Sequence, residues 1–551
     1  MKALKYISIV LVLLTFSQCR TLEEYNVSPN SAEVGSIAPQ DMMDELICNG
    51  ALNYQQRFYD TFAELMQYTV AGASSNQVIH RYFFAPSYIE NCWDNCAKWA
   101  ANADHMYDLA VAAEQPNYQA IALTLRAMWI DQLTAIFGMV PFSEAFLLRD
   151  EDLNKPKFDN EKDIYTQLIK DLDLANSLYN TGMHLSSPGK DKLFNGKTEK
   201  WQKFTNSLQL RILMRLSNRS TEMEIAMGKS IAQKIHYILD NPAIYPLMSS
   251  YEDNACVYFS GESPFQNGWG GYNQNTLSGH RGAEYFIAQL VGKNDPRRWL
   301  WFIPWSKSVG WMGALSGMPG DETSTTGYPI MNYNIFLSYK LPVSFMNYDE
   351  VCFIKAEAYY RTDDDHWAAK ANSSVAAYWY NEGIRQSCQF WRHIYCDWFA
   401  LDGYFAPSQG TAYRDFTAVN KCTSPTTGYE LIPVIDDAAI DNYINSTSVA
   451  FDVRKGIECI MREKYIANFR VMTEAYNDYR RTGFPQLAIG TGTQNNGQFP
   501  TRLVYPTKTK TTNPDSYQAV LDQLRSTYYD GNDDMLTPVW WSALGLSKEI
   551  R

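Results

Sequence analysis

Apolar side chains recur every three or four residues along most of this chain of 551 residues. This spacing is the period of an α-helix with one buried face, whereas the alternation typical of β-strands is confined to short pieces around 328–341. The pattern predicts helices at 41–70, 89–113, 117–138, 160–179, 198–216, 221–240, 349–361, 367–387, 437–446, 454–480 and 515–527. We therefore predict a mainly α fold in which the helices pack as antiparallel pairs.

Two helix starts carry residues typical of caps. Asn160 precedes the apolar stripe of one helix and offers a side-chain oxygen as an N-cap. Asn347 is followed three residues later by Glu350, which is the spacing of a capping box. The sequence predicts that both asparagines close the first turn of their helix.

Two long irregular regions interrupt the helical pattern, at about 245–340 and 388–436, and the first of them is rich in glycine. Irregular segments of this length inside a compact body usually carry function. Aromatic side chains that contact a ligand are expected there, because loops lie at the surface.

The N-terminus has the order of a secretory signal. Lys2 and Lys5 precede a short apolar run that ends just before Cys19. We predict a lipoprotein signal peptide at 1–18, cleavage before Cys19, lipid attachment to that cysteine, and a tether at 19–40. More than one acyl chain gives stable attachment, since each buried methylene contributes about 0.8 kcal/mol. A plain secretion signal is the alternative.

Composition excludes some classes of function. The formal net charge is −12 and no long basic stretch exists, so we do not expect nucleic-acid binding. Aromatic residues make up 14% of the chain, with 15 Trp and 37 Tyr. Most of these rings are expected in the core, and the excess is also typical of a surface that stacks on sugar rings.

The ten cysteines do not predict a disulfide framework. Nine remain if Cys19 carries lipid, and an odd number argues against full pairing. Cys92 and Cys96 stand four residues apart on a predicted helix and are expected to be buried thiols. Among Cys388, Cys396 and Cys422, one bridge is left open.

Motifs for catalysis or metal binding are missing from the sequence, so we expect a protein that is not an enzyme and holds no metal or cofactor. The run 363–366 (DDDH) is interpreted as a solvated turn at a helix start, because consecutive side chains diverge. The run 530–534 (DGNDD) begins like a calcium loop. Met535 and Trp541 occupy the positions of the obligatory Gly and Glu, and the EF-hand interpretation fails.

Aromatic residues in glycine-rich loops are the better candidates for a binding site. Stacking on a flat ring supplies contact area to a sugar, and neighbouring amides supply hydrogen bonds. The ligand-binding candidates are Trp269, Tyr272, Asn273, Trp311, Tyr82 and Phe83. Core packing is the alternative for each ring, and we expect Trp299 and Trp301, beside Arg297 and Arg298, to be structural.

Six segments taken in order carry a family resemblance. They are 137–145 (FGMVPFSEA), 200–208 (KWQKFTNSL), 295–298 (DPRR), 349–358 (DEVCFIKAEA), 463–485 with EKYIA and NDYRRTGFP, and 502–506 (RLVYP). Together they resemble the SusD/RagB family of nutrient-binding outer-membrane lipoproteins, in its second subfamily. Lys508 departs from the family pattern, so no role is given to that position.

The resemblance implies a single SusD-like α-helical domain at 41–551, with four tetratricopeptide-like helix pairs as its scaffold. It implies a lipid-anchored protein on the outer membrane, facing the cell exterior, that binds a nutrient. The expected ligand is an oligosaccharide, and the expected partner is a SusC-like TonB-dependent transporter that receives it. A peptide ligand, a secreted all-α glycoside hydrolase and a purely structural lipoprotein are the alternatives.

Overall fold

The structure is a computed structural model, and it describes residues 37–71, 78–147, 153–271, 280–303, 310–319, 327–399, 405–407, 429–431 and 435–542. The predicted signal peptide, Cys19 and most of the predicted tether lie outside these residues, as do Tyr272, Asn273 and Cys422. Predictions for those positions remain predictions.

The described residues confirm a mainly α fold. The helices are α1 (Gly50–Asn53), α2 (Tyr59–Leu65), α3 (Pro86–Ala112), α4 (Pro116–Phe137), α5 (Glu161–Leu178), α6 (Thr198–Arg215), α7 (Ser220–Met227), α8 (Ile231–Asp240), α9 (Glu284–Gly292), α10 (Arg298–Trp301), α11 (Tyr333–Phe336), α12 (Tyr348–Tyr360), α13 (Asp365–Ala368), α14 (Ser373–Arg392), α15 (Asp437–Ile444), α16 (Gly456–Ala467), α17 (Met472–Thr482), α18 (Thr507–Thr512) and α19 (Pro514–Thr527). The strands are β1 (Thr69–Ala71), β2 (Ala255–Val257), β3 (His280–Gly282), β4 (Phe302–Ile303), β5 (Ile330–Met331), β6 (Val343–Met346), β7 (Phe405–Pro407) and β8 (Tyr429–Leu431).

Neighbouring helices pack as pairs. α3 packs against α4, α5 against α6, and α12 against α14. The connection between α3 and α4 is only three residues long, so these two helices must run antiparallel. α4 is long and apolar enough to cross a membrane, but 94% of its most apolar window is buried in the protein, as in a core helix.

Some predicted helices are interrupted. The segment 221–240 breaks at Gly228, which has a φ of +73° and ends α7. The segment 454–480 breaks between α16 and α17, where Arg470 has a φ of +97°. The segment 41–70 alternates between α-, 3₁₀- and π-helical turns. Backbone conformations with positive φ end a helix even where the apolar period continues.

Both predicted caps are wrong. Asn160 and Asn347 precede their helices with extended backbone, but neither side chain accepts a hydrogen bond from the first turn. Asn160 Oδ1 instead accepts from Gln523, and Glu350 pairs with Arg211. Tertiary hydrogen bonds and ion pairs therefore override the local capping preference at these two positions.

Buried ion pairs tie the helices together. Arg211 Nε donates to Glu350 Oε1 at 2.9 Å, and Arg481 Nη2 donates to Glu357 Oε2 at 2.7 Å. All four side chains are at most 3% exposed. Neighbouring cations lower the pKa of Glu357 to about 2, although burial alone would raise it. Arg481 therefore serves the architecture of the helical core.

A small antiparallel sheet has the strand order β1-β3-β5-β4. Its register sets Ala71 opposite His280, Arg281 opposite Ile330, and Phe302 opposite Met331. Two further antiparallel pairs, β2–β6 and β7–β8, complete the described strands. The strand expected around 328–341 is present only as β5, because the chain turns into α11 two residues later.

Candidate functional site

All the candidate binding residues lie in three connections that begin or end at strands of the four-stranded sheet. These connections lead from β1 to α3, from Gly268 into β3, and from β4 to β5. Tyr82 and Phe83 lie in the first connection. Trp269, Tyr272 and Asn273 lie in the second, and Trp311 lies in the third. Each strand has two or three residues, so the distance along a strand from its first to its last residue is at most about 7 Å.

Hydrogen bonds hold two of these connections against each other and against Gly492. Gly317 N donates to His80 Nδ1 at 3.1 Å, and Gly492 N donates to Gly317 O at 2.7 Å. Arg81 Nε donates to Gly492 O at 2.7 Å. Gly317 has a φ of +73°, and a Cβ there would lie 2.8 Å from the amide nitrogen of Gly490. We call His80, Gly317 and Gly492 the three-loop junction.

The junction is built around neutral histidine. Burial and, to a smaller extent, the charge of the neighbouring Arg81 together lower the pKa of His80 to about 4. The Nδ1 atom of His80 accepts a hydrogen bond from Gly317, which requires an unprotonated nitrogen. The backbone N–H of His80 donates to Glu64 Oε2 at 3.1 Å, and this bond also fixes the turn that contains His80.

A half-buried pair of tryptophans lies in the third connection. The Trp299 and Trp311 rings meet edge to face, with centroids 4.8 Å apart and planes at 84°. The Arg298 guanidinium lies 5.8 Å from the Trp299 centroid and 5.5 Å from the Trp311 centroid. Met312 beside them is 59% exposed. This arrangement presents aromatic surface and a cation to solvent.

Arg298 differs from the buried arginines of the helical core. In the part of the chain that the structure describes, no carboxylate oxygen lies within 4 Å of its guanidinium. Burial lowers the pKa of Arg298, and the charge of Asp295 opposes that effect. A ligand with oxygen acceptors could therefore use its N–H donors without displacing an ion pair.

Trp269 lies inside the protein, with 4% of its surface exposed. Its ring meets Tyr59 edge to face at 4.6 Å, and the Arg470 guanidinium lies 4.6 Å from its centroid. Asn267 Nδ2 donates to Gln55 and Leu341, and Asn267 Oδ1 accepts from the Trp269 backbone N–H. Side-chain amides anchor this glycine-flanked loop to the core, so the candidate Trp269 lies in the core and not at the loop surface.

The two rings of the first connection are separated by a chain reversal. Val78 and Phe83 form an antiparallel bridge, and Tyr82 between them has a φ of +62°. Tyr82 is 6% exposed and packs edge to face on Phe499 at 5.9 Å, whereas Phe83 is 42% exposed. Phe83 can contact a ligand directly, and Tyr82 supports the turn.

Trp299 and Trp301, both expected to be structural, differ in burial. Trp301 is fully buried, whereas Trp299 is half-buried, packs against the hydrophobic core and meets Trp311 edge to face. The signal available was the crowding of tryptophans at 299, 301, 305 and 311. Nothing in that spacing indicates which ring points inward.

The acidic runs are structural wherever the structure describes them. Asp364 Oδ1 caps α13 by accepting from the backbone N–H groups of His366 and Trp367. Asp533 Oδ2 pairs with Lys510 at 2.7 Å and accepts from the Tyr517 hydroxyl at 3.0 Å. Among the described residues, no group of three or more His, Cys, Asp or Glu side chains could hold a metal ion.

No disulfide joins any two of the eight cysteines within the described ranges, and Cys92 and Cys96 are both buried as predicted. Burial raises the pKa of Cys96 well above its usual range. Cys388 and Cys396 do not pair with each other. A bridge to Cys422 lies outside the described residues.

The structure combines packed helix pairs with an aromatic candidate site on the connections of one small sheet. These features define a class of helical protein whose binding site lies on loops. The chain belongs to the SusD-like 2 family, described as "Starch-binding associating with outer membrane", which it matches over residues 29–425 and 428–506. No curated protein sequence matches the chain.

Solved structures show the same fold. A chitin-binding protein is 23% identical and covers 92% of this chain and 99% of its own, with a TM-score of 0.71. A SusD homologue from Bacteroides fragilis is 20% identical, with coverage of 93% and 100% and a TM-score of 0.70. A SusD/RagB family protein from Bacteroides thetaiotaomicron is 22% identical, with coverage of 92% and 99% and a TM-score of 0.69. The predicted family is confirmed.

Proposed function

We propose that this protein is a lipid-anchored binding protein of the outer-membrane surface that captures an oligosaccharide and passes it unchanged to a SusC-like TonB-dependent transporter. The observation that carries the proposal is the half-buried Trp299–Trp311 pair with Arg298, which has no carboxylate partner among the described residues. Its supports are the family, the chitin-binding relative and the lipoprotein signal that ends at Cys19.

The chemistry of the site suits a carbohydrate. The apolar face of a sugar ring stacks on tryptophan, and its hydroxyl oxygens accept hydrogen bonds from a guanidinium. Phe83 and Met312 supply exposed apolar surface, and the half-buried Trp311 adds to it. Tyr272 and Asn273, which lie outside the described residues, belong to the connection that enters the same sheet and complete the proposed site.

Transfer without chemical change is part of the proposal. A glycoside hydrolase needs two carboxyl groups flanking the scissile bond, about 5–9 Å apart. Near the candidate site, Asp295 pairs with Arg297 and Glu64 accepts from the His80 backbone, so these two carboxylates are buried in structural contacts. Glu284, whose backbone N–H donates to Ala314 O, is exposed. The engagement of Asp295 and Glu64 in structural contacts favours binding over hydrolysis.

A peptide is the second candidate ligand. The observation that favours it is Arg298 again, because a guanidinium without an ion pair can form a bidentate contact with a peptide carboxylate.

The experiment is a binding and release assay on the purified full-length chain in detergent. Starch and chitin oligosaccharides, other glycans and acidic peptides are tested for retention by the protein and for cleavage products. Retention of one glycan without product is expected. Release of shorter sugars would establish a hydrolase, retention of peptides alone would establish the second candidate, and retention of nothing would contradict both.

The partner is tested in the membrane. Solubilised outer membranes of the source bacterium should yield a large TonB-dependent barrel together with the affinity-tagged protein. Recovery of the tagged protein without any barrel would contradict the delivery step and leave the binding step standing.

A further inference from the structure

A cavity lies among the helices, away from the four-stranded sheet. It has a volume of about 280 Å³ and lies between α8, α12, α14 and the segment 242–249. Three tyrosines, one tryptophan and one lysine line it together with aliphatic side chains, and these five residues are Tyr245, Tyr348, Tyr359, Trp379 and Lys355. The volume is at the lower end of the range for ligand pockets and matches a ligand of about one ring.

Lys355 is the unusual member of this lining. Its Nζ lies 4.0 Å from the centroid of the Trp379 ring and 6.0 Å from that of Tyr348. No carboxylate oxygen lies within 4 Å of it in the parts of the chain that the structure describes. Burial lowers its pKa, and Cys352 opposes that effect.

Other cations around the cavity have partners. Lys234 Nζ lies 2.8 Å from Asp173 Oδ1, and the Tyr245 hydroxyl donates to the same oxygen at 3.2 Å. Lys203 pairs with Asp253. An anion in the cavity could therefore pair with Lys355, which lies next to the aromatic rings of the lining.

We propose that this cavity is a second ligand site, which takes a single sugar ring bearing a carboxylate, that is, a hexuronate. The ligand carboxylate pairs with Lys355, and this offsets the cost of holding that ammonium group away from water. The sugar ring packs against the aromatic wall that includes Trp379. The Tyr359 hydroxyl, for which no hydrogen bond is formed within the described structure, serves the sugar hydroxyl groups. The site does not depend on the residues around Trp311.

The test uses the purified full-length chain in detergent and saturation-transfer NMR with titration. D-glucuronate should bind at least tenfold more tightly than D-glucose, than the neutral methyl ester of glucuronate and than benzoate. Lys355→Met should weaken glucuronate binding at least tenfold.

Lys98→Met is the matched control, because Lys98 also lies over a tryptophan ring, at 4.3 Å from Trp99, but has Glu45 as its partner. It should bind glucuronate like the unaltered protein. Equal binding of glucuronate and its methyl ester, preference for benzoate, absence of glucuronate binding, or full binding by a folded Lys355→Met variant would each overturn the proposal. The methyl-ester comparison needs no variant, so a folding defect in Lys355→Met does not weaken the test.

Discussion

Trp311 and Trp269 show that two loop tryptophans in similar sequence contexts can differ in burial. Both are flanked by glycine in the sequence, yet one is half-buried beside Trp299 and the other is packed between Tyr59 and Arg470. Sequence composition predicts that such rings are unusual. It does not predict which ring turns inward, because the anchor of Trp269 is the amide contact between Asn267 and Gln55, 212 positions apart.

Trp311→Ala should weaken oligosaccharide binding by about 1–3 kcal/mol, because the substitution removes a stacking face at the proposed site. Isothermal titration with the best glycan from the panel measures the change. Tyr529→Ala removes an aromatic residue that is 56% exposed outside the three connections, and its affinity should equal that of the unaltered protein. Equal losses in both variants, or none in Trp311→Ala, would remove Trp311 from the site.

Glu357→Gln should lower the free energy of unfolding by about 3–5 kcal/mol, because it leaves Arg481 buried with an incomplete set of charged partners. Denaturant unfolding measures this loss. Asp363→Asn is the matched control, since Asp363 also pairs with an arginine, Arg361, but is about half exposed. The control should lose about 1 kcal/mol or less. Similar losses in the two variants would show that burial of the pair is not the cause.

At the scale of single elements, the helices were predictable and their ends were not. The apolar period predicted α5, α6 and α12 to within one residue, because periodicity reports burial along the whole length of a helix. The ends depend on single groups such as the Asn160 and Glu350 side chains, which long-range partners occupy. The sheet was hardly predictable, because strands of two or three residues are too short to show alternation.

The three-loop junction should make stability depend on pH. The folded pKa of His80 is about 4, below the usual value near 6.5, so between these limits the unfolded chain binds more protons. The free energy of unfolding should therefore be highest above about pH 6.5 and fall as the pH is lowered toward 4. For one buried histidine, the loss is on the order of 2–3 kcal/mol.

Thermal unfolding between pH 4 and 7 measures this dependence. His80→Asn should flatten the slope, because asparagine keeps an acceptor for the Gly317 N–H but does not titrate. His184→Asn changes an exposed histidine and should leave the slope unaltered. An identical slope in the His80 variant and the unaltered protein would assign the pH dependence to other groups, such as His280, whose pKa burial also lowers to about 4.

At the scale of the whole molecule, family membership was readable from six separated segments, several of which carry buried charges. Arg481 and Glu357 come from two such segments and form one buried pair, and Glu350 of one segment pairs with Arg211. The geometry of the candidate site was not readable in this way. It depends on loops whose side chains meet only after the helices have packed.

Cys19→Ala should release the protein from the membrane, because lipid attachment supplies the proposed anchorage. Fractionation of cells and incorporation of labelled palmitate measure the change. Cys396→Ser alters a half-buried thiol of the folded body and should remain in the membrane fraction with full labelling. A Cys19→Ala protein that still carries label and pellets with membranes would contradict the predicted anchor.

The contacts at Gly317 have a consequence for how such a binding surface can diversify. Gly317, Gly490 and Gly492 approach so closely that neither segment has space for an added side chain or an inserted residue. Relatives that bind different nutrients should therefore keep the chain length at these glycines and differ in length elsewhere in the three connections. Natural variation would then alter ligand preference while the inner backbone contacts stay the same.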